Sequence, residues 1–246
     1  LEAAGDAVRA LVASSQSDGV AGDVDVALGG NVVSEGANAR TVAARSEGLA
    51  GSGDVSVEVA GIASALGDGV VVVSASSLSG EGAAGAIDLS LGDDVVAEGT
   101  GSRAILARSS GATGAGDITV QTAGNVSALG AGGIAISAQS LAGGADVRIV
   151  TAAEHQVYAG AGGIAVRMDT GALSDNVLEA NGELFTADGL LGNVVLATDG
   201  NDTVLNNGLF YGQFNLGKGR NRFVNNGELI AGPRLVAGGP GGQLSN

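Results

Sequence analysis

The chain has 246 residues, including 45 glycines, four phenylalanines and two tyrosines but no tryptophan or cysteine, and its formal net charge is −15. A compact globule of this length would normally fill its centre with aromatic side chains and leucine, so the core must be narrow and built from small residues. The apolar fraction of 45% argues against disorder. The negative charge argues against partners made of nucleic acid or anionic lipid, and the lack of cysteine excludes disulfides and thiol chemistry.

The N-terminus carries no recognisable processing signal. Leu1 is not an initiator methionine, and the residues after it do not have the pattern of a signal peptide. No purely apolar run is longer than four residues, as at residues 70–73, which is far shorter than the roughly 20 residues that span a bilayer. We therefore expect the chain to be an excised piece of a longer protein.

A strand opener of the form Gly-Asp-Val-x-Val recurs through the first two-thirds of the chain. The first apolar residue of each opener lies at position 24, 55, 87, 118 or 147. The distances between successive positions are 31, 32, 31 and 29 residues. A nearly constant step with drifting sequence is typical of stacked repeats. The sequence therefore predicts a solenoid, in which these apolar residues form one column: Val24, Val55, Ile87, Ile118 and Val147.

Two further segments follow each opener. The second segment is represented by residues 30–36 and 124–130, and the third by residues 40–46 and 103–109. Each alternates apolar and polar residues, as strands do, and glycine-rich corners separate them. The sequence therefore predicts an all-β fold, a parallel β-helix with three short strands per coil.

The third segment also predicts which side chains point inward. One of its three predicted columns consists of serine and threonine residues. We expect the hydroxyl groups of this column to stack and to form hydrogen bonds with one another. The predicted columns are Leu11, Val42, Val72, Ile105, Ile136 and Val166; then Ala13, Ala44, Ser74, Ala107, Ala138 and Met168; then Ser15, Ser46, Ser76, Ser109, Ser140 and Thr170.

The repeat changes after about residue 172. This part contains Asn-Gly turns at 181–182, 207–208 and 226–227, which are separated by 26 and then 19 residues. It also contains five of the six aromatic residues. The sequence therefore predicts two continuous parts, a β-helix of residues 1–172 with repeats of about 31 residues, a period typical of solenoids, and one of residues 173–246 with shorter coils.

The residues that could carry chemistry do not form a catalytic pattern. His155 is the only histidine, so a zinc site is not expected. Gly80, Gly82 and Gly85 match Gly-x-Gly-x-x-Gly, but they precede a strand where a nucleotide-binding motif would open a helix. We expect these glycines to form a corner.

Two groups of acidic residues are also interpreted as non-catalytic. Residues 199–204 resemble part of a calcium-binding nonapeptide repeat, but the next unit, 217–222, carries cations where acids are required. Asp25, Glu58 and Asp88 are scattered and are expected to belong to a solvated surface. The sequence thus predicts no catalytic, cofactor-binding or metal-binding residues and no cofactor.

The tail carries a family resemblance. Three segments of the tail resemble the passenger domains of bacterial autotransporters, which use type V secretion. The segments are Asn-Asp-Thr-Val-Leu-Asn-Asn-Gly at 201–208, Asn-Leu-Gly-Lys-Gly at 215–219 and Asn-Arg-Phe-Val-Asn-Asn-Gly at 221–227. The resemblance implies a right-handed parallel β-helix that is exported through the outer membrane and displayed at the cell surface or secreted. It also implies two partners, the C-terminal outer-membrane β-barrel of the same precursor, which lies outside this chain, and a receptor on a host, matrix or neighbouring-cell surface.

Two functions remain open from the sequence. The first is a non-catalytic passenger segment that acts as an adhesin or as a structural stalk, and the regularity of the repeat favours it because functional loops would interrupt that repeat. The alternative is a polysaccharide-active enzyme on a β-helix, which needs an exposed cluster of carboxylates with a base. Scattered charges and small outward residues predict a surface without a concave pocket in which water is excluded and a nucleophile is aligned.

Overall fold

The computed structural model describes residues 1–239 and 241–245, which form a parallel β-solenoid with three strands in each full coil. Among these residues the only helical element is a single 3-10 turn, Gly189–Leu191. The predicted all-β class and the parallel stacking are confirmed. Each coil presents three faces, and each strand on a face pairs with its equivalent in the next coil.

The strands are grouped by face. Face 1 contains β1 (Glu2–Ala4), β4 (Val32–Glu35), β7 (Ala63–Leu66), β10 (Val95–Glu98), β13 (Val126–Ala128), β16 (Gln156–Ala159) and β19 (Glu183–Thr186). Face 2 contains β2 (Arg9–Ser17), β5 (Arg40–Gly48), β8 (Val71–Ser79), β11 (Arg103–Gly111), β14 (Ile134–Ser140), β17 (Ile164–Thr170) and β20 (Asn193–Ala197). Face 3 contains β3 (Val24–Leu28), β6 (Val55–Val59), β9 (Ile87–Leu91), β12 (Ile118–Thr122), β15 (Val147–Thr151), β18 (Asp175–Ala180), β21 (Asn201–Asn206), β23 (Arg222–Asn225) and β25 (Gln243–Ser245). Faces 1 and 2 share β22 (Leu209–Asn215) and β24 (Glu228–Val236).

The opener column on face 3 is confirmed. Val24, Val55, Ile87, Ile118 and Val147 pair in that order, and all five side chains are buried. Because β-strand side chains alternate in direction, this register places every second residue of face 3 in the core.

On face 2 the predicted columns are wrong by one residue in β8. Val73, not Val72, pairs with Val42 and with Ile105. Residues 70–73 are all buried valines, so hydrophobicity could not distinguish one register from the other. The shift continues along the strand, where the columns contain Ala75 and Ser77 in place of Ser74 and Ser76.

The hydroxyl column holds the corners together, and the predicted hydroxyl-to-hydroxyl stacking is wrong. The Oγ of Ser46 donates to the carbonyl oxygen of Gly22 in the preceding coil, at 2.9 Å, and accepts from the amide of Gly53 in its own, also at 2.9 Å. Ser77 repeats the arrangement with Gly53 and Gly85, at 2.8 Å for each bond. Each serine therefore satisfies backbone groups that the corner removes from the ladder.

The corners before face 2 depend on glycine. Gly36 has a φ of +127°, and a Cβ there would overlap the carbonyl oxygen of Gly5 one coil away. Gly67 and Gly99 repeat this conformation and this contact in the next two coils. These positions exclude side chains for both conformational and steric reasons.

The coils become shorter towards the C-terminus without a break in pairing. Asn176 pairs with Asp202, a step of 26, and Thr203 pairs with Arg222, a step of 19. Because β22 runs along faces 1 and 2 in one strand, its coil lacks the corner between them, and Gly212 with a φ of +140° marks the bend. The predicted second part ends at residue 246, which lies outside the described residues.

We expect Ile136→Asp to destabilise the fold much more than Arg108→Asp. Ile136 is fully buried in the face 2 column, whereas Arg108 is exposed on the neighbouring strand. A buried unpaired carboxylate should cost several kcal/mol or prevent folding, and the surface change should stay within about 0.5 kcal/mol. Denaturant unfolding followed by circular dichroism measures both, and equal midpoints would show that the inward register is wrong.

Candidate functional site

An open groove of about 680 Å³ runs across the first four coils, where the face 2 strands end. One wall is the outward column Gln16, Glu47, Leu78 and Ser110, whose members pair in register. The corner segments that follow these strands form the other wall. The sequence did not predict this groove, which is open to solvent.

The acidic residues of this groove are Asp18 and Glu47. Arg45 approaches Oε2 of Glu47 with its Nη2 at 2.7 Å, and Gln16 donates to the same oxygen at 3.1 Å. Glu47 is therefore already engaged as an acceptor by two neighbours. The groove offers amide, hydroxyl and charged groups to an extended polar ligand, and no histidine or cysteine lines it.

A second groove, of about 490 Å³, lies where the face 3 strands end in the middle coils. Its lining includes Gln121, Thr122, Asn181 and Asn207 and contains no ionisable residue. Asn207 donates from Nδ2 to Oδ1 of Asn181 at 2.8 Å, so stacked amides form part of the wall. This lining can offer hydrogen bonds, but it cannot supply acid–base catalysis.

A column of half-buried aromatic side chains lies on the outside of face 1. Tyr158 pairs with Phe185, and Phe185 pairs with Tyr211 in the next coil. The ring centroids of Tyr158 and Phe185 are 5.1 Å apart. Sequence analysis noted that aromatic residues concentrate in the tail but did not separate these outward rings from the inward ones. The available signal was alternation, because each outward ring directly follows a buried apolar residue.

The glycine motif lies in a corner, as predicted, and His155 lies in another corner. His155 is half-buried between β15 and β16, and its backbone oxygen accepts from the amide of Glu183 at 2.8 Å. Gly80, Gly82 and Gly85 lead directly into β9 and not into a helix. A Cβ at Gly82 would overlap the carbonyl oxygen of Ala50, so close coil stacking explains this glycine.

The outward acids are not brought together. Asp25 and Asp88 share one column of face 3 with Ser56 between them, and Glu58 lies in a different column. All three acids are exposed. Within residues 1–239 and 241–245, no three His, Cys, Asp or Glu side chains are placed to hold a metal ion together.

The two acids of the calcium-like segment have different environments. Asp199 is half-buried and forms an ion pair of 3.7 Å with Lys218. Asp202 is fully buried in an inward polar column between Asn176 and Asn221. Asn176 donates from Nδ2 to Oδ1 of Asp202 at 2.8 Å, and the backbone amide of Asp202 donates to Oδ1 of Asn221 at 2.8 Å. The second carboxylate oxygen is buried and has no hydrogen-bond partner in the described part of the chain.

Burial raises the pKa of Asp202 to about 7, and the charge of Asp199 acts in the same direction. The hydrogen bond from Asn176 opposes the shift by stabilising the carboxylate. Near neutral pH this buried side chain therefore carries a proton for part of the time. Nothing reactive lies beside it, and the column of amides around it indicates a role in stability.

The chain matches no protein-family model, no curated protein and no solved structure. In the part of the chain that the structure describes, no helix has the length and apolar character to cross a membrane. The class that the observations define is the parallel β-solenoid, with open grooves on its surface.

Asp202 should make the stability depend on pH. Its pKa of about 7 in the folded state exceeds the value of about 3.9 expected when unfolded, so the folded state binds the proton more tightly. The stabilisation is complete below pH 4 and is lost as the pH rises to 7. We expect Asp202→Asn to remove this dependence and to stabilise the chain at pH 8 by at most about 4 kcal/mol. Unfolding midpoints from pH 5 to 8 test this, and parallel profiles for the two proteins would contradict it.

Calcium should not stabilise the chain. Asp202 points into the core and Asp199 pairs with Lys218, so their carboxylates are not arranged to share an ion with an adjacent coil. We expect the same Tm in millimolar calcium and in excess chelator. A calcium-dependent rise of many degrees that Asp202→Asn abolishes would overturn this assignment.

Proposed function

We propose that the chain is a non-catalytic passenger segment of an autotransporter, displayed at the bacterial cell surface or secreted, where it acts as an adhesin or as a structural stalk. The observation that carries the proposal is the uninterrupted stacking of coils, with long outward faces and open grooves in place of an enclosed site. Catalysis needs reactive groups that converge where water is excluded. Binding along a flank needs only many contacts.

The autotransporter part of the proposal rests on the resemblance in the tail. The resembling segments 201–208 and 221–227 contribute β21 and β23, which pair in register with Val204 against Phe223. Motifs of this kind follow the coil geometry, as expected for a passenger scaffold. The proposed partners are the outer-membrane barrel of the same precursor and a receptor on a host, matrix or neighbouring-cell surface.

Shape and charge support adhesion through many weak contacts. The nine strands of face 3 extend over roughly 40 Å along the solenoid axis at the usual strand spacing. A surface of this length can engage several copies of a ligand, and display of many chains on one cell would multiply the effect.

A polysaccharide-active enzyme is the second candidate, and the groove containing Asp18 and Glu47 favours it. Glycosidases use two carboxylates, one of which must be protonated to act as the acid. In this groove Arg45 and Gln16 both donate to Oε2 of Glu47, so that oxygen is already held by neighbours within the chain. The adhesin or stalk is therefore the better-supported function.

The test compares dense display with the free chain. We expect beads that carry many copies to be retained on host-cell or matrix surfaces far better than the monomer, because avidity grows with copy number. In parallel, the soluble chain is incubated with a panel of polysaccharides while new reducing ends are measured. No new ends are expected.

Two variants serve as controls. Glu47→Gln and Asp18→Asn alter the acids of the first groove without removing a core residue. Production of reducing ends that either variant abolishes would replace the adhesin with the enzyme. Failure of dense beads to bind any surface would leave the stalk as the function.

A further inference from the structure

Five arginines lie together on the outside of face 2. The four strands that carry the patch, β2, β5, β8 and β11, contain one acidic residue, Glu47. The chain has eleven Lys and Arg in total and a net charge of −15, so almost half of its cations lie on this one surface. We call this surface the arginine patch, and its members are Arg9, Arg40, Arg45, Arg103 and Arg108.

A strand irregularity places these arginines on one side. Arg40 and Arg45 are five residues apart, a spacing that would place them on opposite sides of a regular strand. Thr41 and Val42 are both fully buried, so the alternation skips one residue and both arginines face outward. The same skip occurs in β11, where Ala104 and Ile105 are both buried between the two arginines of that strand.

The arginines of β5 and β11 form two rows separated along the solenoid axis by one coil, and Arg9 lies one coil before the first row. Arg40 lies two coils from Arg103, and Arg45 lies two coils from Arg108, because β8 is between β5 and β11. Two strand spacings amount to about 10 Å. Since β8 has no charged residue, the four arginines surround a strip of small and apolar side chains.

Most of this positive charge has no partner within the chain. Among the described residues, Arg9, Arg40, Arg103 and Arg108 form no ion pair, and Arg45 pairs with Glu47. Partial burial and then the charges of Arg9 and Arg45 lower the pKa of Arg40 from its ordinary value. An external anion would relieve this repulsion.

The acids at the adjoining corner have other partners. Asp6 accepts from the amide of Ala37 at 3.2 Å, and Asp68 accepts from the amide of Thr100 at 2.8 Å. Both side chains therefore brace one coil against the next. The arginine patch remains open to solvent for a ligand.

We propose that the arginine patch binds a linear sulfated polysaccharide whose chain runs along the solenoid axis. This proposal rests on the adhesin function and names its ligand class. A guanidinium donates two parallel hydrogen bonds to an anionic oxo group, which makes arginine well suited to sulfate. The two-coil spacing is close to the length of one disaccharide, so sulfates repeated once per disaccharide would meet successive arginine rows.

Two other polyanions fit less well. Duplex nucleic acid carries one charge per roughly 1.7 Å of its axis, so its phosphates do not match the distance of about 10 Å between the arginine rows of β5 and β11. Single strands need aromatic side chains for base stacking, and β2, β5, β8 and β11 have none.

The test is binding to immobilised heparin, a sulfated polysaccharide, compared with chemically desulfated heparin, duplex DNA and phosphatidylserine vesicles. We expect binding to heparin alone, with an affinity that falls as salt rises. Arg40→Ser combined with Arg103→Ser should weaken it at least tenfold, and Glu47→Gln should strengthen it by freeing Arg45. Equal binding to desulfated heparin, or preference for DNA or vesicles, would overturn the proposal.

Matched charge loss elsewhere controls for net charge. Arg148→Ser combined with Arg222→Ser removes two cations from face 3, and we expect less than a twofold effect on heparin binding. Circular dichroism melts confirm that every variant folds. If the double variants lose affinity equally, the patch is not the site. If beads adhere to cells as strongly with the Arg40/Arg103 variant as with the wild type, adhesion stands and its ligand is not the polysaccharide.

Discussion

Adjacent coils lie about 4.8 Å apart everywhere, including at the corners where the chain changes direction. A strand tolerates this distance because side chains point away from the neighbouring coil, but a corner does not. At Gly36 and Gly82 a single added carbon would meet the backbone of the preceding coil. The serine column is a second response to the same constraint, because it supplies hydrogen bonds to corner groups that have left the ladder. The high glycine content is thus a consequence of stacking.

Stacking also determines what the core can contain. In the long coils three faces converge on a narrow interior, which valine, isoleucine and alanine fill in columns. Where β22 joins two faces, Phe210, Phe214 and Phe223 pack together, with centroid distances of 4.5 to 5.8 Å. The same part of the molecule buries the polar column that contains Asp202. Asn176 of the preceding coil donates to one oxygen of this buried carboxylate, and Asn221 of the next coil accepts from the backbone amide of Asp202.

The repeat was visible in the sequence because identical columns recur at a nearly constant step, and the face 3 register followed from it directly. The face 2 register did not, because the strands there from β5 onward bury at least two consecutive residues and the valine run at 70–73 concealed this. The same irregularity concealed the arginine patch, since alternation alone places Arg40 and Arg45 on opposite sides. The outward aromatic column was within reach of pattern analysis, but the inward rings of the same segment dominated that pattern.

The direction of the hydrogen bonds has a mechanical consequence. The ladders of all three faces join one coil to the next, so a force along the axis pulls these bonds lengthwise and every junction bears the full load in series. Within one junction the bonds share that load, and a long coil near the N-terminus offers more of them than a short coil near the C-terminus. Rupture should therefore begin among the last coils and leave the first part folded, so that a molecule under tension lengthens from one end.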